Sequence, residues 1–265
     1  MYIKFQKYQG AGNDFIIIDN RSHLYDLAPS MVHRLCDRKF GIGADGLMLL
    51  EDCPDYDFRM RYFNADGKEA SLCGNGSRCI VAYAHHSGLS DRFTRFMAAD
   101  GAHEGQVTSS GVRIKMQDVA TIYTGPDYFF LNTGSPHYVK IVEDAFRIDT
   151  YHEGQKIRYA KEFGPEGTNV NFITPKEDQI EMATYERGVE NETLACGTGC
   201  VASALAVATK RQDAQNTYTL LAKGGTLSVS FKKTADDHFT DIWLEGPAEK
   251  VFEGKVRVER LKLKD

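Results

Sequence analysis

Two short stretches of this chain, SLCGNGSRC at 71–79 and LACGTGC at 194–200, set a cysteine directly before a glycine-rich turn. The likeness extends well upstream. AGNDFIII ahead of the first stretch resembles GSPHYVKI ahead of the second, and YFNADGKEASLCGNG resembles TYERGVENETLACGTG. The spacing agrees: Gly12 to Cys73 spans 61 residues and Gly134 to Cys196 spans 62. A repeat of roughly 120 residues is too long for a solenoid unit and predicts two similar domains. We expect an N-terminal half over 1–118 and a C-terminal half over 119–251. The tail over 252–265, with its strand KVRVERLKL, is expected to pack back on the first half.

Local patterns suggest strands with a few helices. DFIIID (14–19) reads as a short buried strand, and DFRMRYFN (57–64) alternates with Phe58, Met60 and Tyr62 on one face. Ala65-Asp66-Gly67 then turns the chain. PSMVHRLCDRKF (29–40) reads as a helix with Pro29 in its first turn. From Gly76 to about Tyr83 the apolar spacing is again helical. RFTRFMAA, AHEGQVTSS and VRIKMQ follow as antiparallel strands.

Composition removes several classes of function. The 265 residues carry 32 Lys and Arg against 37 Asp and Glu, a formal net charge of −5, so no nucleic-acid footprint is expected. The start, MYIKFQKYQGAGNDF, lacks the apolar run of a signal peptide, and VASALAVA at 201–208 is too short to span a bilayer. A cytoplasmic protein is expected, with no membrane partner. Its six cysteines then read as free thiols.

The paired motifs carry the chemistry. Glycines let backbone N–H groups approach a ligand closely. The first N–H groups of a helix lack intrahelical partners and sit at the positive end of its dipole, so they bind anions. The same position makes a thiol more acidic. Two such ends facing one another can hold a carboxylate and place its neighbouring carbon between two sulfurs. One thiolate removes a proton from one face while the opposite thiol returns one to the other, which inverts that carbon. No cofactor is needed for this. The same geometry without turnover would describe a binding protein for a small anion, although binding alone needs the glycines and not two thiols.

The ordered set KYQGAGNDF, FGIGADG, FNADG, LCGNGSRC, NTGSPHYV, GTNVNF, TYERGVENETLACGTG and EGPAEKVFEG resembles the diaminopimelate epimerase family, pyridoxal-independent enzymes of lysine and peptidoglycan-precursor synthesis. The resemblance implies an α+β fold of two pseudo-symmetric domains. Each is a curved, mostly antiparallel sheet around a central helix, with the site between them. It implies that Cys73 and Cys196 are the acid/base pair, assisted in ionising by His137 and Glu186. It also implies that Gly74, Asn75, Gly197 and Thr198 present N–H groups to the reacting carboxylate. Asn13, Asn64, Asn169, Glu186 and Arg187 match substrate-holding residues. Arg187 suits a distal carboxylate and Glu186 an ammonium. A homodimer acting on diaminopimelate is implied. Two positions depart from the family pattern: Ser135 stands where Asn is usual, and Gly46 where some members carry Gln.

Rival readings are weaker. Cys79 and Cys200 fall within the helices and read as core, and Cys36 and Cys53 have no chemical context. No CxxC pair exists, which argues against zinc. GIGADG (41–46) matches a dinucleotide fingerprint in letters only, because the helix precedes it and a strand follows. His85 and His86 end a helix and complement its dipole. A related racemase acting on proline or hydroxyproline is the nearest enzymatic alternative. Arg187 with Glu186 favours a substrate with a second amino-acid end, which proline lacks.

Overall fold

A computed structural model of the chain describes residues 2–70, 73–212, 214–235 and 237–257. Residues 258–263 of the expected terminal strand lie outside these. The described residues fall into two compact units, one reaching to Ile114 and resuming at Pro247, the other being Lys115–Gly246.

The first unit contains β1 (Tyr2–Gly10), β2 (Asn13–Asp19), α1 (Pro29–Cys36), β3 (Gly46–Glu51), β4 (Phe58–Asn64), β5 (Glu69–Ala70), α2 (Gly74–His86), β6 (Phe93–Ala98), β7 (Gly101–Val107) and β8 (Val112–Lys115). The second contains β9 (Ile122–Thr124), β10 (Tyr128–Asn132), β11 (Pro136–Ile141), α3 (Thr150–Arg158), β12 (Asn169–Pro175), β13 (Gln179–Glu186), β14 (Asn191–Thr193), α4 (Gly197–Arg211), β15 (Thr217–Ala222), β16 (Gly225–Ala235) and β17 (His238–Gly246). The last strand, β18 (Glu249–Arg257), returns to the first unit and pairs antiparallel with β1.

Strand pairing is the same in both units. In the first, β1–β2 is antiparallel, β2–β3 parallel, β3–β4 antiparallel and β4–β6 parallel, and β6–β7 and β7–β8 are antiparallel. In the second, β10–β11, β11–β12, β12–β13, β13–β15, β15–β16 and β16–β17 repeat that order and sense. Each parallel pair is joined by a helical crossover, as parallel neighbours require. The outermost partner differs in origin: β18 lies on β1, whereas β9 lies on β10.

The centre of DFIIID, Phe15 to Ile18, is apolar because both faces of its sheet are covered. Ile16 and Ile18 pack in one core with Leu35 of α1, Leu47, Leu49 and Phe63. Phe15, on the opposite face, reaches Gly76 of α2 together with Met48. The second unit has a matching core of Tyr138, Val170, Phe172 and Tyr185, with Ile157 of α3 against it. Its α4 is buried along most of its length, as an Ala- and Val-rich helix must be.

Two elements differ from the sequence-based expectation. The helix expected over 29–40 ends at Cys36, because the Asp37 carboxylate accepts from the N–H groups of Lys39 and Phe40 and starts a turn. The helix expected from Gly76 begins at Gly74 and runs to His86, since glycine in the first turn hides the apolar rhythm.

Candidate active site

Cys73 and Cys196 occupy the same position in their units. Each is the residue immediately before its helix, with extended backbone angles (φ −104°, ψ 119° and φ −110°, ψ 112°). Each carbonyl accepts the first helical bond, from Ser77 N–H at 2.7 Å and Cys200 N–H at 2.9 Å. Each thiol therefore sits at the positive end of a helix whose first residues are glycine-rich.

In the first unit the Cys73 thiol donates to Asn13 Oδ1 at 3.7 Å, and Asn75 Nδ2 donates to the same oxygen at 3.4 Å. The Asn13 amide is held from its other end, where Nδ2 donates to Asp45 Oδ2 at 2.6 Å. Asp45 in turn accepts from Arg38 at 2.7 Å. Arg38 also grips Asp14 with two hydrogen bonds, and the buried Lys7 pairs with Asp14 at 2.8 Å and donates to the Gly43 carbonyl. Burial would push the Asp14 carboxyl up, but the hydrogen bonds from Arg38 and Lys7 outweigh it and hold the group well below the usual carboxylate range. Asn75 is oriented by fully buried Arg78, whose guanidinium donates to its Oδ1 at 2.9 Å. Asn64 is exposed at the end of β4, in register with Gly46. A Cβ on Gly46 would lie 2.5 Å from the Tyr62 ring, so that ring fills the space a longer residue 46 would need.

In the second unit His137, Asn169, Asn171 and Thr184 form a polar group below the start of α4. His137 Nε2 lies 2.9 Å from Thr198 Oγ1 and 3.0 Å from Ser135 Oγ. Thr198 Oγ1 is 3.5 Å from Cys196 Sγ. The Thr133 hydroxyl donates to the Thr198 carbonyl at 2.9 Å and steadies the turn. Asn169 Nδ2 donates to Ser135 Oγ and to the Pro136 carbonyl, both at 3.1 Å, and its Oδ1 accepts from Arg187 N–H at 2.9 Å. Ser135 is therefore an internal link between Asn169 and His137. Arg187 lies half-buried, 3.9 Å from Glu166.

Electrostatics separate the titrating groups. Burial, aided by the Arg187 charge, pushes His137 down to about 3, so the ring is neutral. Burial raises Glu186, opposed by the Thr193 hydroxyl. Burial also raises Cys196 well above an ordinary thiol, and the Glu186 charge adds to this. The Thr198 hydroxyl and the Gly199 N–H act in the opposite sense. Cys79 and Cys200 are fully buried inside α2 and α4. GIGADG lies in the connection from α1 into β3, not in a strand-to-helix turn.

The model of the diaminopimelate epimerase family matches residues 5–122 and 129–251. The chain belongs to this family. It is 44% identical over 254 residues to the diaminopimelate epimerase of Flavobacterium psychrophilum, covering 95% of this chain and 99% of that one. It is 43% identical to that of Chlorobaculum tepidum, covering 93% and 98%. As a family member it is an isomerase of the epimerase type. More distant solved structures share the fold. A PhzF-family phenazine biosynthesis protein of Bacillus anthracis aligns with TM-score 0.77 at 16% identity, over 97% of this chain and 99% of that one. A probable proline racemase of Agrobacterium radiobacter aligns with TM-score 0.66 at 15% identity, over 97% and 93%.

Arg38, Asp45, Arg78, Thr133, Asn171 and Thr184 were not singled out from the sequence, although all contact the candidate residues or their immediate partners, and neither was Lys7, which lies one step further out on Asp14. Some signal was present. Asp45 lies inside the GIGADG stretch, and Asn171 is two residues after Asn169, on the same strand face.

Proposed function

We propose that the chain interconverts LL- and meso-2,6-diaminopimelate by a two-cysteine, cofactor-independent proton transfer at the α-carbon. The observation that carries this reading is the repeated cysteine at the head of a buried helix, in a chain of this family. The reacting carboxylate is held by N–H groups of Gly74, Asn75, Gly197 and Thr198, which also take up the negative charge of the carbanion. One cysteine, as thiolate, accepts the α-proton and becomes a thiol. The other, as thiol, donates its proton to the opposite face and becomes a thiolate. The two sulfurs exchange protonation states with each turnover, and the reverse reaction resets them. His137 and Glu186 assist ionisation of the cysteines. Asn13, Asn64 and Asn169 hold the substrate, with Glu186 on an ammonium and Arg187 on the distal carboxylate. We further infer a cytoplasmic homodimer serving lysine and peptidoglycan-precursor synthesis. No helix of the described residues is long and apolar enough to cross a membrane.

Proton NMR of LL-diaminopimelate with reduced protein in deuterated water tests the reaction. Loss of the α-proton signal with appearance of the meso isomer is expected, with no added cofactor. A folded, reduced sample that leaves the signal intact would refute the reading, and proline-type substrates would be tried next.

The ion cluster beneath Asn13 yields a second expectation. Asp45→Asn exchanges a double acceptor for a group whose amine would face donors from Asn13 or Arg38. The Asn13 amide then loses its fixed orientation beside Cys73. KM for diaminopimelate is expected to rise about tenfold, with stability changed by less than about 1 kcal/mol because Asp45 and its partner Arg38 are themselves exposed. Steady-state kinetics with a thermal melt would check both, and an unchanged KM would dismiss the orienting role.

A further inference from the structure

Asn171 of β12 is fully buried on the sheet face that supports α4, and its neighbours decide how its amide is turned. The Tyr138 carbonyl can only accept, so the atom 3.0 Å from it is the amine Nδ2. Oδ1 then takes the Thr184 hydroxyl hydrogen at 2.9 Å. The second N–H of Nδ2 points at His137 Nδ1, 3.0 Å away. Nδ1 must accept, which leaves the proton of the neutral ring on Nε2.

The Nε2–H faces Thr198 Oγ1 at 2.9 Å and Ser135 Oγ at 3.0 Å. Once Thr198 Oγ1 accepts from the ring, its own hydrogen can turn to Cys196 Sγ at 3.5 Å; the other oxygen in reach, Ser135 Oγ at 3.4 Å, already accepts from Asn169 Nδ2. We propose that Asn171 is a positioning residue for Cys196: it holds His137 as the Nε2–H tautomer and thereby turns the Thr198 hydroxyl hydrogen toward the sulfur. Every bond in the series is a donation running toward Cys196. The series stabilises a thiolate there without moving a proton, and His137 takes part as a donor. The first turn of α4 rests directly on this device, since a Cβ on Gly199 would lie 2.4 Å from Asn171 Oδ1.

Imidazole 15N labelling of the reduced full-length protein tests the tautomer, with His137 signals assigned by their loss in His137→Gln. The wild type is expected to carry its proton on Nε2 through the neutral pH range. Asn171→Asp offers Nδ1 a carboxylate acceptor and is expected to move the proton to Nδ1. Thr198→Val is expected to leave it on Nε2. A wild-type ring protonated on Nδ1, or an Asn171→Asp ring still protonated on Nε2, would overturn the proposal. Should Asn171→Asp fail to fold, the wild-type spectrum alone decides.

The kinetic part rests on the epimerase reading. Asn171→Asp and Thr198→Val should each lower kcat about tenfold with KM within about twofold, and the double variant should be no slower than the slower single. Losses that multiply would contradict a shared series. Absence of turnover in the wild type would refute the epimerase reading and leave the NMR result standing.

Discussion

Cys73→Ala and Cys196→Ala are each expected to lower epimerisation by about a thousandfold or more, while leaving the fold intact. Both thiols sit just ahead of a helix rather than inside it, a place alanine can also occupy, so the substitution removes little structure. General acid–base groups contribute about 10²–10⁴-fold each, and groups that act as a unit fail together. A more specific outcome follows from the two faces. Each variant keeps one sulfur, and that sulfur can still exchange the α-proton of whichever isomer presents it. Cys73→Ala should therefore wash deuterium into one isomer without inversion, and Cys196→Ala into the other. NMR in deuterated water, started separately from each isomer, reads both rates. Inversion at near wild-type rate by either single variant would remove the two-cysteine mechanism. A binding protein would show neither exchange nor inversion in any form.

The repeat was legible because both copies retain landmarks that backbone geometry demands. Gly12 and Gly134 have φ of 83° and 107°, where a side chain is strained, and each sits just before the strand that carries its unit's first candidate residue. The place of each cysteine just ahead of a helix was legible because glycine follows each one. What escaped was everything that needs the sheet to be closed. Lys7, Arg38, Asp14 and Asp45 come from β1, the turn after α1, β2 and the loop before β3, and no spacing rule links them. His137 showed the same limit. The sequence suggested an ionising group, but its proton position depends on Asn171, 34 residues away. Helix ends were misjudged where polar side chains, as at Asp37, compete with the backbone.

Arg78→Met is expected to be among the most destabilising single changes outside the apolar core. An arginine at 0% exposure within a helix is costly, and replacing a buried charge with an apolar side chain can be neutral when its partners leave with it. Here they cannot leave. The guanidinium donates to the Pro247 carbonyl at 3.3 Å, the Gly74 carbonyl at 3.4 Å and Asn75 Oδ1 at 2.9 Å. The Gly74 carbonyl keeps its helical bond from the N–H of residue 78, but methionine gives the Pro247 carbonyl and Asn75 Oδ1 no replacement donor. Each buried acceptor left without one costs about 1–3 kcal/mol, and recovered desolvation offsets part of the sum. A net loss of about 3 kcal/mol is the balance, which in a chain of this size lowers the melting midpoint by roughly 6–12 °C. The position of Asn75 adds a functional consequence. Without Arg78 its amide loses the guanidinium bond that orients it, which disturbs its donation to Asn13 Oδ1, the oxygen that also accepts from the Cys73 thiol. Arg78→Lys restores one charged donor but cannot reach three acceptors in one plane, so it should fall between wild type and Arg78→Met in both melting temperature and KM. A midpoint for Arg78→Met within about 2 °C of wild type would show that the charge costs as much as its hydrogen bonds return.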